Sequence, residues 1–191
     1  MKETIDSVKS KADEIAADTQ LGPQGVGMAV AFDWGLATQI LITPIVSHFL
    51  GLPGMFKQFG PVPGILLSTL VTLPFATLLA VFGEGIRRGW RWTRFIQLGF
   101  NALVFLGGLA LITNVWDGAK HGNYWPIVTE VILLIFSPLI AWRMAGKRST
   151  RWFNTVSSAV ARKRHGGAWP FLIGIWAAVG GILQAIAALK R

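Results

Sequence analysis

The sequence predicts an all-α fold: a polytopic membrane helix bundle of about five transmembrane helices, with an N-terminal amphipathic helix and a basic interfacial helix in the last cytoplasmic loop. Three observations predict it. Apolar residues make up 52% of the 191 positions and charged residues only 14%, too few for an ordinary soluble domain. Four apolar runs lie at 62–83, 95–116, 125–144 and 169–189, with a weaker one at 28–50; about 20 such residues cross a hydrocarbon core. Each strong run is apolar all round and not striped, so lipid or protein must surround it.

Residues 1–27 read as a cytoplasmic amphipathic segment and 28–191 as the transmembrane domain. The start is charged and has no apolar core of about 7–15 residues behind a basic stretch, so it is read as retained. Ile5, Val8, Ala12 and Ile15 recur at helical spacing among Lys, Glu and Asp. That pattern suits a short helix lying on a surface and is too brief for a coiled coil.

The weak run 28–50 holds Asp33, Thr38, Gln39, Thr43, Ser47 and His48, which makes it the costliest span to insert. A window at 34–56 puts Asp33 at its edge, where the carboxylate would cap a helix starting at Trp34. A re-entrant or interfacial segment is the competing reading. Beyond it, Gly51-Leu52-Pro53-Gly54 and Gly60-Pro61-Val62-Pro63 bracket a short turn, and Gly118 to Asn123 forms another. Pro44, Pro74 and Pro138 each interrupt a span, removing one backbone bond and inviting a kink.

Charge placement orients the bundle. Of the 18 Lys and Arg, fourteen fall on one side of a five-span topology: Lys2, Lys9 and Lys11, then Arg87, Arg88, Arg91 and Arg94, then Arg143 to Arg164. Cytoplasmic loops carry the excess of Lys and Arg. The expectation is therefore a bacterial inner-membrane protein with its N-terminus in the cytoplasm and its C-terminus outside. The same asymmetry accounts for most of the +9 net charge. Trp34, Trp90, Trp92, Trp116, Trp125, Trp142 and Trp169 fall near expected helix ends, where an indole sits at headgroup level.

The loop 145–168 is long enough for a helix of its own. Trp152, Val156 and Val160 share one face between Arg148, Arg151, Arg162, Lys163 and Arg164, a pattern for binding anionic lipid or a partner. No nucleic-acid module accompanies these charges, so no nucleic-acid partner is expected. In the last span Ala177, Gly181 and Ala185 form a small-residue ridge that admits another backbone, of this chain or of another protein.

Ionisable groups at bilayer depth are the candidates for chemistry: Asp33, His48 and Glu130, with Glu84 and Arg143 at helix ends. His48 and Glu130 fall in the same leaflet, so a contact between them is open. A haem or pigment ligand at His48 is the sharper but weaker alternative. With no Cys, thiolate chemistry and iron–sulfur ligation are excluded. No nucleophile elbow, His-Glu-x-x-His, phosphate loop or dinucleotide fingerprint occurs. The expectation is a non-enzyme without cofactor, acting by association with other subunits or with itself. A small ion- or proton-conducting protein using Glu130, His48 and Asp33 is the alternative, and a holin-like or toxin-immunity protein a third.

Overall fold

The computed structural model describes residues 22–52, 56–164 and 168–189. The amphipathic pattern from Ile5 to Ile15 lies outside them. Seven α-helices run through these residues: α1 Gln24–Phe49, α2 Pro61–Arg87, α3 Arg91–Lys120, α4 from Trp125 to Ala145, α5 Lys147–Thr155, α6 Ser158–Arg164 and α7 Ala168–Leu189. No strand occurs among the described residues. Five of the helices, α1 to α4 and α7, are long and apolar enough to cross a membrane.

Helix α1 is the centre of the bundle. It packs along α2 on one side and α7 on the other, and its beginning meets the end of α4; α3 packs on α4 and scarcely touches α2. The packing is inside out relative to a soluble domain. On α3 the buried residues are Thr93, Gln97, Asn101 and Gly108, while Phe95, Leu103, Leu106 and Ile112 face outward. On α2, Gly64, Ser68 and Ala76 are buried and Leu66, Leu70 and Leu78 exposed. A lipid surround removes the penalty on apolar exposure, so close approach and polar satisfaction decide what goes inside.

The turns follow local chemistry. Helix α2 begins at Pro61, whose missing N–H costs nothing at a first helical position, after Gly60 at φ 87°. The Arg-rich stretch between the second and third runs is a tight turn of three residues. Arg87 ends α2, Arg91 begins α3, and Gly89 between them takes φ 73°, a left-handed conformation that costs glycine little. A pentapeptide π-helical stretch, Ile132–Phe136, interrupts α4 just before Pro138. The Pro138 ring would clash with the carbonyl four residues back, and the widened turn takes up that misfit.

At the end carrying the Arg-rich turn, the loop expected to lie on lipid is folded under the bundle. It forms two short helices, α5 and α6, broken at Val156 and Ser157. Trp152 and Phe153 are buried, edge to face at 4.9 Å. They join Val26, Val30, Ile86, Ile140 and Met144 in the main apolar core. Val156 packs against Gly89. The face read as a membrane anchor is thus in large part a protein contact, because two adjacent aromatics bury more area in a core than one stripe does on a surface. Arg94 holds the arrangement: its Nε donates to the Met144 carbonyl at 2.9 Å and its Nη2 to Thr150 Oγ1 at 2.7 Å. It caps α4, whose C-terminal carbonyls favour a cation.

The ridge on α7 is also filled within the chain. Ala177, Gly181 and Ala185 are buried. A Cβ at Gly181 would sit 2.6 Å from the Gly35 carbonyl oxygen and 2.7 Å from Thr38 Cβ. Its partner is α1. Asp33 does not cap a helix, as the 34–56 window has it. It is nine residues inside α1, because the helix begins at Gln24 and the carboxyl finds its hydrogen bond on a neighbouring helix. Trp34 is likewise interior, its Nε1 donating to the Ala80 carbonyl of α2 at 3.3 Å.

Candidate functional site

The buried polar residues of α3 recur every four positions, at Thr93, Gln97 and Asn101, and so share one face. That face points at α1 and α4. Gln97 Nε2 donates to Asp33 Oδ1 at 3.1 Å. One turn further, Asn101 Nδ2 donates to the Gln97 backbone carbonyl at 2.9 Å. The Ser137 hydroxyl on α4 lies 2.8 Å from the Asn101 backbone oxygen and 3.0 Å from its Oδ1. Asp33, Gln97, Asn101 and Ser137 are all fully buried. Three membrane-length helices are therefore tied by one chain of side-chain hydrogen bonds.

The chain is incomplete at one place. Asp33 Oδ2 and Gln97 Oε1 are buried with no hydrogen-bond partner among the described residues, which is costly in a low-dielectric interior. Both are acceptors in one bonded pair. A proton on the carboxyl, a water, or a small hard cation liganded by oxygens is the chemical class that would complete them. No group of three or more His, Asp or Glu converges among the described residues. A cation here would thus be held by one carboxylate with neutral oxygens.

Depth matters as much as contact. Asp33 is about 14 Å along α1 from its start, at a rise of 1.5 Å per residue. Glu130, also buried at 5% exposure, is about 8 Å from the opposite end of the bundle by the same measure. The π-helical turn lies between Glu130 and Ser137. One extra residue in a turn rotates the remainder of the helix by about 100°. The first half of α4 accordingly packs on α7 as well as α3, and the second half on α3 and α1.

The other residues singled out from sequence are dispersed. His48 is exposed at the far end of α1, its ring edge-on to Phe49, and is not drawn into the interior with Glu130. Glu84 stays within its own helix end. It accepts from Arg87 Nε at 2.6 Å and from Arg88 Nε at 2.7 Å. Arg143 lies against Gly25 at the start of α1, its guanidinium 5.3 Å from the Trp142 ring centroid. Arg148 and Arg151 are exposed. The side chains of Arg162, Lys163 and Arg164 are outside the described residues.

Gln97 and Asn101 carry no charge and so do not stand out among ionisable groups, and Ser137 stands out only as the hydroxyl before Pro138. The available signal was periodic: polar residues four apart in an otherwise apolar run must face inward. Replacing Ser137 by Ala should cost about 1 kcal/mol, read as a lower unfolding midpoint in detergent, since the Asn101 carbonyl loses its interhelical donor.

No protein family, curated protein or solved structure matches this chain. Function is therefore read from the geometry of the site.

Proposed function

We propose that this chain is a small non-enzymatic, multi-pass protein of a bacterial cytoplasmic membrane that passes a proton or small cation through its bundle. Asp33 takes up the ion, and Glu130 is a second station nearer the opposite end. The observation that carries the reading is Asp33 itself, fully buried in a membrane-length helix with one oxygen held by Gln97 and the other unpartnered among the described residues. An intramembrane carboxyl is expensive to keep and marks ion pathways by default. By the excess of Lys and Arg at the end where the two Arg-rich segments meet, that end is cytoplasmic, which puts Asp33 on the cytoplasmic half of the path.

The test is flux in proteoliposomes with a pH dye inside and a potassium diffusion potential across the membrane. Protein-containing vesicles should leak protons or the applied cation well above empty ones, and Glu130→Gln should slow the leak at least tenfold. Flux equal to that of empty vesicles overturns the reading. Unchanged flux in Glu130→Gln removes the second station.

Association with another subunit or a second copy is a second reading, supported by one observation. Helix α2 leans on α1 and hardly on α3, so among the described residues a membrane-length helix is held from one side and its outer face, with Leu66, Leu70 and Leu78, is exposed. Cross-linking in native membranes followed by mass determination tests it; a strictly monomeric product counts against it. The ridge Ala177, Gly181 and Ala185 no longer supports this reading, since α1 occupies it.

A further inference from the structure

Helices α2 and α7 both pack on α1 but splay apart, leaving an open groove of about 690 Å³ between them. Its walls and floor include the small residues Ala37, Ala80 and Gly174, and its mouth, at the Arg-rich end, is formed by Glu84, Arg88 and Trp90. We propose that this groove holds one acyl chain of an anionic glycerophospholipid, with the lipid phosphate at Arg88.

Size selects the occupant. A helix is a stiff rod about 10 Å across and would lie over the mouth of so narrow a cleft, whereas a single flexible hydrocarbon chain can follow its walls between α2 and α7. The groove opens on the apolar outside of the bundle, where an empty cleft would forfeit dispersion contacts that an acyl chain restores. The lining is mostly apolar, so a polar solute gains little along its length.

Charge selects the headgroup. Glu84 is shared by Arg87 and Arg88, which leaves that trio one positive charge in excess. At the start of α3 the hydrogen bonds of Arg91 and Arg94 go to neutral oxygens, those of Asn154 and of Met144 and Thr150, so no carboxylate pairs with either among the described residues. Arg88 commits Nε to Glu84 and makes no other hydrogen bond among the described residues. Its two remaining nitrogens suit a phosphate, which guanidinium binds through paired donors. Trp90 stands beside it at the depth where indoles meet headgroups.

The test uses the full chain, purified in detergent, stripped of lipid and titrated with phosphatidylglycerol or phosphatidylcholine of the same acyl chains, with bound lipid counted by native mass spectrometry. The wild type should keep one phosphatidylglycerol about fivefold more tightly than phosphatidylcholine. Thr77→Trp adds bulk at an exposed wall position of the groove and should lose both lipids while keeping its helix content. Arg88→Gln should still retain a lipid but with a reduced preference for phosphatidylglycerol. Equal binding of the two lipids by the wild type overturns the headgroup assignment. Undiminished retention in both Thr77→Trp and a second filling variant, Val81→Trp, overturns the groove.

Discussion

Asp33→Asn should bring proton or cation flux through the reconstituted protein down to the level of empty vesicles while leaving the bundle folded. The substitution is nearly isosteric. Its amide oxygen still accepts from Gln97 Nε2, as Asp33 Oδ1 does at 3.1 Å. Its new amide N–H₂ brings a donor to a buried pair in which Gln97 Oε1 lacks one among the described residues. Stability should therefore hold or rise slightly, since a buried unsatisfied acceptor is costly and supplying its donor recovers that cost. What disappears is the ionisable oxygen. The pair of measurements separates chemistry from packing: if the Asn variant conducts like the wild type, Asp33 is only a tie between α1 and α3. Asp33→Leu serves as the contrast. It leaves the Gln97 amide buried without an acceptor and should lower stability by about 1–3 kcal/mol, seen as an earlier unfolding transition in detergent.

Gly181→Val should be the most damaging single change to the fold. The first added carbon would stand 2.6 Å from the Gly35 carbonyl oxygen, 2.7 Å from Thr38 Cβ and 3.0 Å from the Gln39 backbone nitrogen. Two of those three atoms belong to the backbone of α1, which cannot rotate out of the way. Helices α1 and α7 must separate, and their interface is among the two largest in the bundle. A loss of about 3 kcal/mol, the upper end for overpacking, is expected as a lower midpoint in thermal or denaturant unfolding. Gly180 is the control, because a Cβ there meets nothing within 4 Å. Gly180→Ala should be neutral or stabilising by up to about 1 kcal/mol. Equal effects at the two positions would mean that α7 packs on another face.

Adjacent Gly180 and Gly181 show what was legible in the sequence and what was not. Their presence in an apolar run, and the four-residue step from Ala177 to Ala185, mark a packing ridge. Which backbone fills it depends on the register of α7 against α1, a contact between residues nearly 150 positions apart. Asp33 makes the same point about the site. Its cost in a membrane span is visible from composition alone, and moving it to a helix end was the cheapest local solution. The bundle uses a distant one, an amide on α3, and the helix starts nine residues before Asp33. Trp152 and Phe153 likewise gain more from a protein core closed by four other segments than a one-dimensional stripe reveals.

Hydropathy and run length establish the five membrane-length helices and their short connections, because the cost of taking backbone and charge out of water is local and additive along the chain. The partners are another matter. That Gln97 meets Asp33, that α1 fills the ridge on α7, and that the basic loop seals one end all depend on how the helices rotate and cross. Those rotations are set by close contacts summed over every neighbour at once, so they belong to the assembled bundle.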